Sequence, residues 1–487
     1  MMRWSRPALA AVEVGLQEAA CRQAARALGL SSDAALEALE LSVAFKYALS
    51  QRTLDDGDSA LDWLCATWDW SDINAHGPVR QALERDRGYR WRLVELARDA
   101  QRSQSLAPEL CLAPYPIGAE ALASLLCGTH NHAVVFAQSA LITHELYPLV
   151  ADAFTADSTA VGRAHFNILG VHTDWIDRSH RTQRALFFDF NAQRFVEASL
   201  AVPLPIDSVH FLSLGHGEQT LHAHWSAHLP VFQINPWAQA QPADDKQVTV
   251  RAWTESGIDA PVTRSITKAD ESIVRTWLDR YGALVAKPND ASEGRGVAYI
   301  RSLEDWSAYA KEQSEDGDLL LQVRRDRVFF RDREQGSMHT LAVRIHVANC
   351  DTGRRADSHY VQLGMHAHAP ASRGRGGRIV SAAALDDQLV HRPKDRWQPV
   401  RLDSAFWNET FACAERAASV FPDLALVGLD FVVDMKDGRP AAIPIEANPR
   451  PAGLCHARRR SDGQSGVSEG LWNSLRTNGR VAAHLTL

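Results

Sequence analysis

The residues best suited to chemistry lie in two apolar segments near the C-terminal end, VGLDFVV and IPIEANPR. Because side chains alternate between the faces of a strand, Glu446 and Asn448 share one face, and Arg450 follows them if the strand continues. Asp430, on the preceding strand, can join them across a turn. Two carboxylates and an amide carbonyl are hard oxygen donors, which suit Mg²⁺ that substrate phosphates also hold. A solvated hairpin face is the alternative, but the apolar flanks favour an interior position, where an unpaired carboxylate is costly.

A second strand carries an arginine on the same kind of face. The segment LAVRIHVAN places Arg344 and His346 on one side, together with Ala342 and Ala348. Small residues around an inward Arg leave room for a ligand, so we interpret Arg344 as functional. For His346 we expect an exposed position on a surface strand.

A glycine-containing loop follows the strand GALVAKP. Lys287 ends that strand, and the loop SEGRG comes after it. Glycines let backbone N–H groups approach phosphate oxygens, and a nearby Lys supplies positive charge. No G-K-[ST] sequence is present, so this is not a Walker A motif. On its own, the loop is weak evidence for a nucleotide.

The elements that must position these residues begin near residue 241. The segment after Asp245 predicts a helix that closes at Gly257 and Pro261, and Asp437-Gly438 predicts a hairpin turn. Between them, apolar runs predict strands and two periodic segments predict helices. The expected strands are GALVAKP, VAYI, DLLLQVR, LAVRIHVANC, SHYVQLGMHAH, LVGLDFVVDM and AAIPIEANPR, and the expected helices are LEDWSAYAKEQ and SAFWNETFACAERAASVF.

Two regions precede this one. From about 130 to 240, short apolar runs alternate with helical segments, which is typical of buried strands in an α/β layer. No G-x-G-x-x-G follows any of these runs, so a dinucleotide fold of the usual type is not supported. Residues 1–127 predict a mostly helical packing domain, and residues 458–487 predict a tail.

Composition excludes several function classes. The chain has 487 residues, so two or three domains are expected, and its net charge of −7 gives no reason to expect nucleic acid or an anionic membrane as partner. No run of about 18 uncharged apolar residues predicts a membrane span. Early Glu residues at the N-terminus argue against a secretory signal. Seven dispersed cysteines without C-x-x-C are typical of reduced thiols in a cytoplasmic protein.

Two other features have open interpretations. The H-x-H pairs His130/His132 and His366/His368 have no acidic or Cys partner close in sequence, so neither is interpreted as a metal site. His366 and His368 are expected on a strand that borders the site, where they can contact substrate. The basic loop at 371–378 is either a mobile loop over an anionic substrate or a flexible linker.

The order of the motifs is more specific than any one of them. It runs through an Asp-Lys pair, a turn with Gly and Pro, AKP with its glycine loop, DLLLQV, R-x-H-V, LDFVVD and IEANPRP. In this order the chain resembles the ATP-grasp superfamily, carboxylate–amine ligase type, over residues 241–457. The resemblance implies an α/β (α+β) chain with an ATP-grasp domain at 241–457 and a Rossmann-like pre-ATP-grasp domain at 128–240. The helical domain at 1–127 is not a standard part of that superfamily.

The resemblance also implies a role for each matching residue. Lys246 and Lys287 look like the two lysines on the ATP phosphates, and Arg344 and Arg450 look like the catalytic arginines. The family often has Glu where this chain has Gln322, which leaves the contact with the adenine amino group open. The implied metal ligands are Asp430, Glu446 and Asn448. The implied nucleotide-binding residues of the loop and hinge are Ser292, Glu293, Gly294, Gly296, Gln322 and Val323.

The activity implied by this resemblance is ATP-dependent ligation. A carboxylate would be activated as an acyl phosphate and coupled to an amine, with release of ADP and phosphate. ATP and Mg²⁺ are the expected cofactors, with Mn²⁺ as an alternative metal. The expected partners are a small carboxylate and an amino acid or peptide amine, in the cytoplasm, without nucleic acid or membrane. A homodimer, a phosphotransferase that acts on a hydroxyl, a peptide- or carrier-protein-directed maturation enzyme and a non-catalytic nucleotide-binding regulator remain alternatives.

Overall fold

A computed structural model describes the chain in two compact units, one up to Trp237 and one from Ala238 to Pro451. The predicted helical domain and the C-terminal tail lie outside the described residues, apart from a few positions before residue 128. No helix among the described residues is long and apolar enough to cross a membrane. The described residues are 115–117, 122–123, 126, 130–137, 146, 166–189, 194–212, 214, 218–451, 453, 454 and 457, except 290–293, 295, 314–317, 334–335, 351–352, 373–376, 381, 386 and 394–395.

The first unit contains a seven-stranded mixed sheet in the order β1-β5-β4-β3-β2-β6-β7. Strands β3, β2, β6 and β7 are parallel neighbours, whereas β4 is antiparallel to both β3 and β5. The short apolar runs HAVVF, FNILGVH, RALFFD, SVHF and FQI of the region from 130 to 240 all form strands here. The elements are β1 (Tyr115–Ile117), β2 (His130–Phe136), β3 (Phe166–His172), β4 (Arg181–Asp189), β5 (Arg194–Pro205), β6 (Ser208–Phe211), β7 (Phe232–Ile234) and helix α1 (Glu218–His228).

A buried histidine cluster lies on one face of this sheet. The Ser208 hydroxyl is 2.9 Å from Nε2 of His130 and 2.8 Å from Nδ1 of His132. His210 is 1% exposed, and neither of its ring nitrogens has a hydrogen-bond partner among the described residues. Burial lowers the pKa of His210 to about 4. His132 and His210 are thus buried and His130 is half-buried. In the part of the chain that the structure describes, no three or more His, Cys, Asp or Glu side chains are grouped so that they could hold a metal ion.

The second unit contains three antiparallel sheets. A small sheet has the order β10-β9-β11-β8, a large one β16-β15-β14-β19-β20, and a third β13-β12-β17-β18. The strands are β8 (Thr263–Ile266), β9 (Leu284–Pro288), β10 (Ala298–Ile300), β11 (Leu319–Val323), β12 (Val328–Arg331), β13 (Met338–His339), β14 (Leu341–Cys350), β15 (Gly353–Leu363), β16 (Arg378–Val380), β17 (Leu389–His391), β18 (Gln398–Val400), β19 (Leu426–Lys436) and β20 (Arg439–Asn448). The helices are α2 (Trp237–Asp244), α3 (Lys246–Glu255), α4 (Glu271–Tyr281), α5 (Leu303–Glu312) and α6 (Ser404–Ser419).

Hydrophobic packing covers one face of the large sheet and one face of the small sheet. On the large sheet, Val343, Ile345 and Val347 of β14 point into a core that also contains Trp253 of α3 and Ala414 of α6. The alternation along β14 therefore turns Arg344 and His346 to the opposite face. The small sheet packs on Trp306 of α5 and Val274 of α4 in a separate core. Each sheet thus keeps one face for polar side chains.

Local sequence signals account for most of the elements predicted in this unit. The Ser302 side chain accepts a hydrogen bond from the Asp305 N–H and begins α5, and the Asp403 side chain does the same for α6 through Phe406. Asp437 and Gly438, with φ of 50° and 78°, form the predicted hairpin turn between β19 and β20. The predicted β9, β10, β11, β14, β19 and β20 are all confirmed within a few residues.

Two expectations were wrong. Strand β15 ends at Leu363, so His366 and His368 lie in the turn after it and not on the strand. His346 is fully buried and not exposed, and its Nδ1 lies 2.9 Å from the Ser358 hydroxyl within the sheet. Arg450 was expected on the face of Glu446 only if the strand continued, and β20 ends at Asn448, two residues before it. The basic loop residues Arg373 and Arg375 lie outside the described residues.

Candidate active site

A row of four polar side chains crosses the open face of the large sheet. The register pairs Tyr360 of β15 with Arg344 of β14, Arg344 with Asp430 of β19, and Asp430 with Glu446 of β20. Directly opposed residues of neighbouring strands have side chains on the same face. The row therefore brings together Arg344, Asp430 and Glu446, which were three of the predicted site residues.

The centre of this row is a two-contact ion pair. Arg344 donates to Asp430 from Nε to Oδ1 at 2.5 Å and from Nη2 to Oδ2 at 2.8 Å. Burial raises the pKa of Asp430, and the hydrogen bonds from Arg344 oppose that shift. Burial alone would lower the pKa of Arg344, but the Asp430 carboxylate outweighs burial and raises it. Hydrogen bonds that a charged guanidinium donates are shorter and stronger than those between neutral groups.

A glycine makes room for the arginine. Gly428 lies one alternation before Asp430 on β19 and is the register partner of His346 and Asn448. A Cβ at Gly428 would lie 3.3 Å from both Cδ and Nη1 of Arg344, and 2.9 Å from Cβ of Pro451. The guanidinium therefore lies against bare backbone at this position. Gly428 was not among the predicted site residues.

Lys287 of β9 reaches the site from the small sheet. Its Nζ lies 3.3 Å from Oε1 of Gln322 and 3.4 Å from the carbonyl oxygen of Ile445, next to Glu446. The side chain is almost entirely buried, with 4% exposure of the residue. Burial lowers the pKa of Lys287 to about 8; the nearby Lys246 adds to this effect, and Glu446 and Asp430 oppose it. An anion beside Nζ would restore the full charge.

Lys246 approaches from the first turn of α3. Its Nζ donates to the carbonyl oxygen of Asn289 at 2.9 Å and lies 3.6 Å from Oε1 of Glu446. The helix begins here because the Asp245 side chain accepts from the Val248 N–H at 2.9 Å. Lys246 and Lys287 therefore converge on Glu446 from two different elements.

Asn448 completes the predicted metal-ligand set on β20. Its Nδ2 lies 3.4 Å from Oδ2 of Asp430 and 3.3 Å from the Gly428 carbonyl oxygen. Asp430, Glu446 and Asn448 therefore share one patch of the sheet, as predicted. Two carboxylates and an amide are a donor set that suits Mg²⁺ when phosphate oxygens and water supply the other positions. The residues present thus fit a metal held together with a phosphorylated ligand.

The predicted hinge residues Gln322 and Val323 form hydrogen bonds, and two glycines of the predicted loop have positive φ angles. The Gln322 side chain is engaged on both sides, because Nε2 donates to Oγ1 of Thr263 at 2.9 Å while Oε1 accepts from Lys287. The Val323 N–H donates to the Val262 carbonyl oxygen at 2.9 Å. Gly294 and Gly296 have φ angles of 70° and 66°, which residues other than glycine rarely adopt. Ser292 and Glu293 lie outside the described residues.

Arg450 is turned to a partner that the sequence analysis missed. Its Nη2 lies 2.8 Å from Oδ1 and 2.7 Å from Oδ2 of Asp244, and both side chains are nearly buried. Asp244 closes α2, directly before the Asp245-Lys246 pair. The available sequence signal was the run of three adjacent charged residues, Asp244, Asp245 and Lys246. In the structure they contact Arg450, the Val248 N–H and Glu446, in that order.

Neither a protein-family profile nor a curated protein sequence matches the chain. Among solved structures, a D-alanine–D-alanine ligase from Coxiella burnetii is similar at 12% identity and TM-score 0.46, over 74% of this chain and 97% of that one. An L-amino acid ligase from Bacillus licheniformis is similar at 13% identity and TM-score 0.41, over 72% and 74%. A RimK domain ATP-grasp protein from Sphaerobacter thermophilus is similar at 14% identity and TM-score 0.38, over 71% and 98%.

Proposed function

We propose that the second unit binds ATP with Mg²⁺ in the manner of ATP-grasp ligases. In this proposal the site transfers the γ-phosphoryl group to a carboxylate, and an amine then attacks the acyl phosphate. ADP and phosphate are released, and an amide or peptide bond is formed. The acid and the amine are small molecules in this proposal, and the amine is an amino acid or a peptide.

The charge balance of the site is the observation that carries the proposal. Three cations, Lys246, Lys287 and Arg344, face the two carboxylates of Asp430 and Glu446 within one patch. A site for a free divalent cation would be expected to have the opposite excess. An excess of buried positive charge instead favours a polyanion, and the carboxylates can then accept a metal that arrives with it. A nucleoside triphosphate with its metal supplies both charges together.

The depressed pKa of Lys287 supports the same ligand. A lysine that burial has brought to a pKa of about 8 gains most when an anion enters beside it. Its partners Gln322 and Ile445 are neutral acceptors at 3.3 and 3.4 Å, so they orient Nζ without neutralising it. Phosphate oxygens are the anions that best match such a compact point charge.

Each group then has a task in the reaction. A carboxylate oxygen of the acid attacks the γ-phosphorus, and the bond between that phosphorus and the β,γ-bridging oxygen breaks, leaving ADP. Lys246 and Lys287 neutralise charge on the phosphates, and Arg344 steadies the transferring group. The amine attacks the acyl carbon, phosphate leaves, and the amine loses a proton. Asp430, Glu446 and Asn448 would hold Mg²⁺, which would supply charge neutralisation on the phosphate oxygens.

A trapping experiment tests the proposal directly. The wild-type protein is incubated with Mg²⁺, ATP and a panel of carboxylic acids, with hydroxylamine as the amine. Hydroxylamine converts an acyl phosphate to a hydroxamate, so acid-dependent hydroxamate together with ADP is the expected result. Natural amines are then screened with the reactive acids, and mass spectrometry identifies the amide. ADP release without hydroxamate for any acid would contradict the acyl phosphate.

The same experiment separates the alternatives. A phosphotransferase would yield a phosphorylated hydroxyl compound and ADP, with no hydroxamate. A non-catalytic nucleotide-binding regulator would bind ATP in calorimetry and release no ADP. The variant Lys287→Met serves as the control that should lose both ATP binding and product.

A further inference from the structure

Two ion pairs join the α2–α3 junction to the end of β20. Asp244 binds Arg450 at 2.8 and 2.7 Å, and Lys246 lies 3.6 Å from Glu446. The junction carries Asp244 and Lys246, and the end of β20 carries Glu446 with Arg450 after it. In each pair, the acid of one segment meets the base of the other segment. Each segment therefore contributes one charge of each sign, and the two pairs fix the two segments against each other.

The contact between Lys246 and Glu446 is the longer of the two ion pairs. A lysine in the first turn of a helix lies at the positive end of the helix dipole, where a cation is disfavoured. Its neighbour Asp245 is engaged in capping α3 through the Val248 N–H. The Nζ of Lys246 donates to the Asn289 carbonyl oxygen at 2.9 Å but lies 3.6 Å from Oε1 of Glu446, which is long for an ion pair. The placement of Lys246 therefore depends on what holds the junction in place.

Two prolines restrict the backbone on either side of Arg450. Pro449 and Pro451 flank it, and proline fixes its own φ while it restricts the residue before it. The Arg450 side chain is 6% exposed and that of Asp244 11% exposed. Breaking a nearly buried pair leaves an uncompensated charge, which is strongly unfavourable. This pair therefore has the rigidity that the Lys246 contact lacks.

We propose that Asp244 and Arg450 form a positioning pair, which holds the start of α3 so that Lys246 lies beside Glu446. Arg450 then acts through Lys246 and does not stabilise the acyl intermediate. This inference rests on the proposed function only in assigning Lys246 to the ATP phosphates. It also gives Asp244 a role in the site.

A charge exchange tests this role. Asp244→Asn and Arg450→Met are each expected to weaken ATP binding by roughly 10- to 100-fold, because each releases the junction. Turnover at saturating ATP should change less than ATP affinity. The exchanged variant Asp244→Arg with Arg450→Asp should recover a substantial part of the affinity in calorimetry. Asp259→Asn, which removes an ion pair with Arg325 elsewhere in the unit, is the matched control and should bind ATP normally.

The opposite result has a distinct signature. If Arg450 itself stabilised the reacting group, Arg450→Met would lower turnover at unchanged ATP affinity, and Asp244→Asn would have little effect. That pattern would overturn the positioning role.

A second readout keeps this test separate from the proposed function. Acetic anhydride labels exposed lysines, and mass spectrometry reports the extent of labelling at Lys246 without any nucleotide. The wild-type residue should be protected, both single variants should label it several-fold faster, and the exchange should restore protection. Absence of ATP binding by the wild type, with this labelling pattern intact, would refute the proposed function and leave the positioning pair standing. Unchanged labelling in both single variants would refute the pair.

Discussion

Arg344 on β14 and Asp430 on β19 are direct register partners, and the arginine holds the carboxylate through Nε at 2.5 Å and Nη2 at 2.8 Å. They are 86 residues apart in the chain. The pair links the arginine expected to steady the phosphoryl group with a carboxylate expected to hold the metal. Its geometry is set by the register of two neighbouring strands of the sheet.

The two-pronged contact predicts that lysine cannot replace this arginine. Lys keeps the charge but has no planar fork, so Arg344→Lys should lower turnover at least tenfold and destabilise the fold by about 1–2 kcal/mol. Arg344→Met leaves Asp430 buried without its cation and should cost about 3–5 kcal/mol. Urea unfolding and ADP release measure both effects. Equal activity of the Lys variant and the wild type would count against a role for the fork.

Gly428 should be intolerant of even one methyl group. Gly428→Ala places a Cβ 3.3 Å from Nη1 of Arg344 and 2.9 Å from Cβ of Pro451. We expect a stability loss of about 1–3 kcal/mol from overpacking and a clear loss of turnover. Combining Gly428→Ala with Arg344→Lys should give less than the sum of the two losses, because the shorter side chain relieves the contact. Strict additivity in this double-mutant cycle would argue that the two residues do not interact.

Lys287 should make ATP affinity depend on pH. With a pKa of about 8, the amine of the free protein loses its proton as the pH rises past 8, and ATP should bind together with a proton there. Affinity should therefore fall from pH 7.5 to 9.5, and calorimetry in buffers of different ionisation enthalpy should detect proton uptake. Lys287→Arg should remove this dependence. Proton uptake that persists in the arginine variant would assign it to another group.

The same lysine predicts a trade-off between stability and binding. The folded pKa lies below the ordinary value of 10.5, so the folded state binds this proton more weakly than the unfolded state does. The resulting penalty is complete below pH 8 and disappears as the pH rises to 10.5, and it amounts to about 3 kcal/mol at pH 7. Lys287→Met should therefore stabilise the ligand-free protein at pH 7 while it abolishes ATP binding. A variant that is both weaker-binding and less stable would contradict this assignment.

The first unit should be sensitive to acid through His210. Its folded pKa of about 4 lies below the ordinary 6.5, so its contribution to stability is present above pH 6.5 and is lost as the pH falls towards 4. Between pH 7.5 and pH 5 the loss should be about 2 kcal/mol. His210→Leu should remove that part of the pH dependence in urea unfolding, whereas His224→Ala at an exposed position should not. If the His210→Leu variant lost the same amount of stability between pH 7.5 and pH 5 as the wild type, His210 would be excluded as the source of that loss.

Sequence patterns located the strands that carry the candidate site and assigned their faces, whereas the short strands β8, β12, β13, β16, β17 and β18 were not predicted. Alternation along LAVRIHVANC and IPIEANPR placed Arg344, Glu446 and Asn448 on polar faces, and the structure has β14 and β20 at those positions. The Asp437-Gly438 turn defined the hairpin that brings Asp430 to Glu446. These inferences succeeded because strand periodicity and turn geometry depend on neighbouring residues only.

The pairing of charges was decided by tertiary structure. Arg450, which the resemblance implies to be a catalytic arginine, lies two residues beyond the end of β20 and binds Asp244, 206 residues away. His346 was expected at an exposed position, whereas the sheet buries it against Ser358. The missed Gly428 matters only because strand register lays Arg344 over it. Alternation along one strand tells which side a residue faces; which distant partner it meets depends on strand register and strand ends, and these follow from packing of the whole unit.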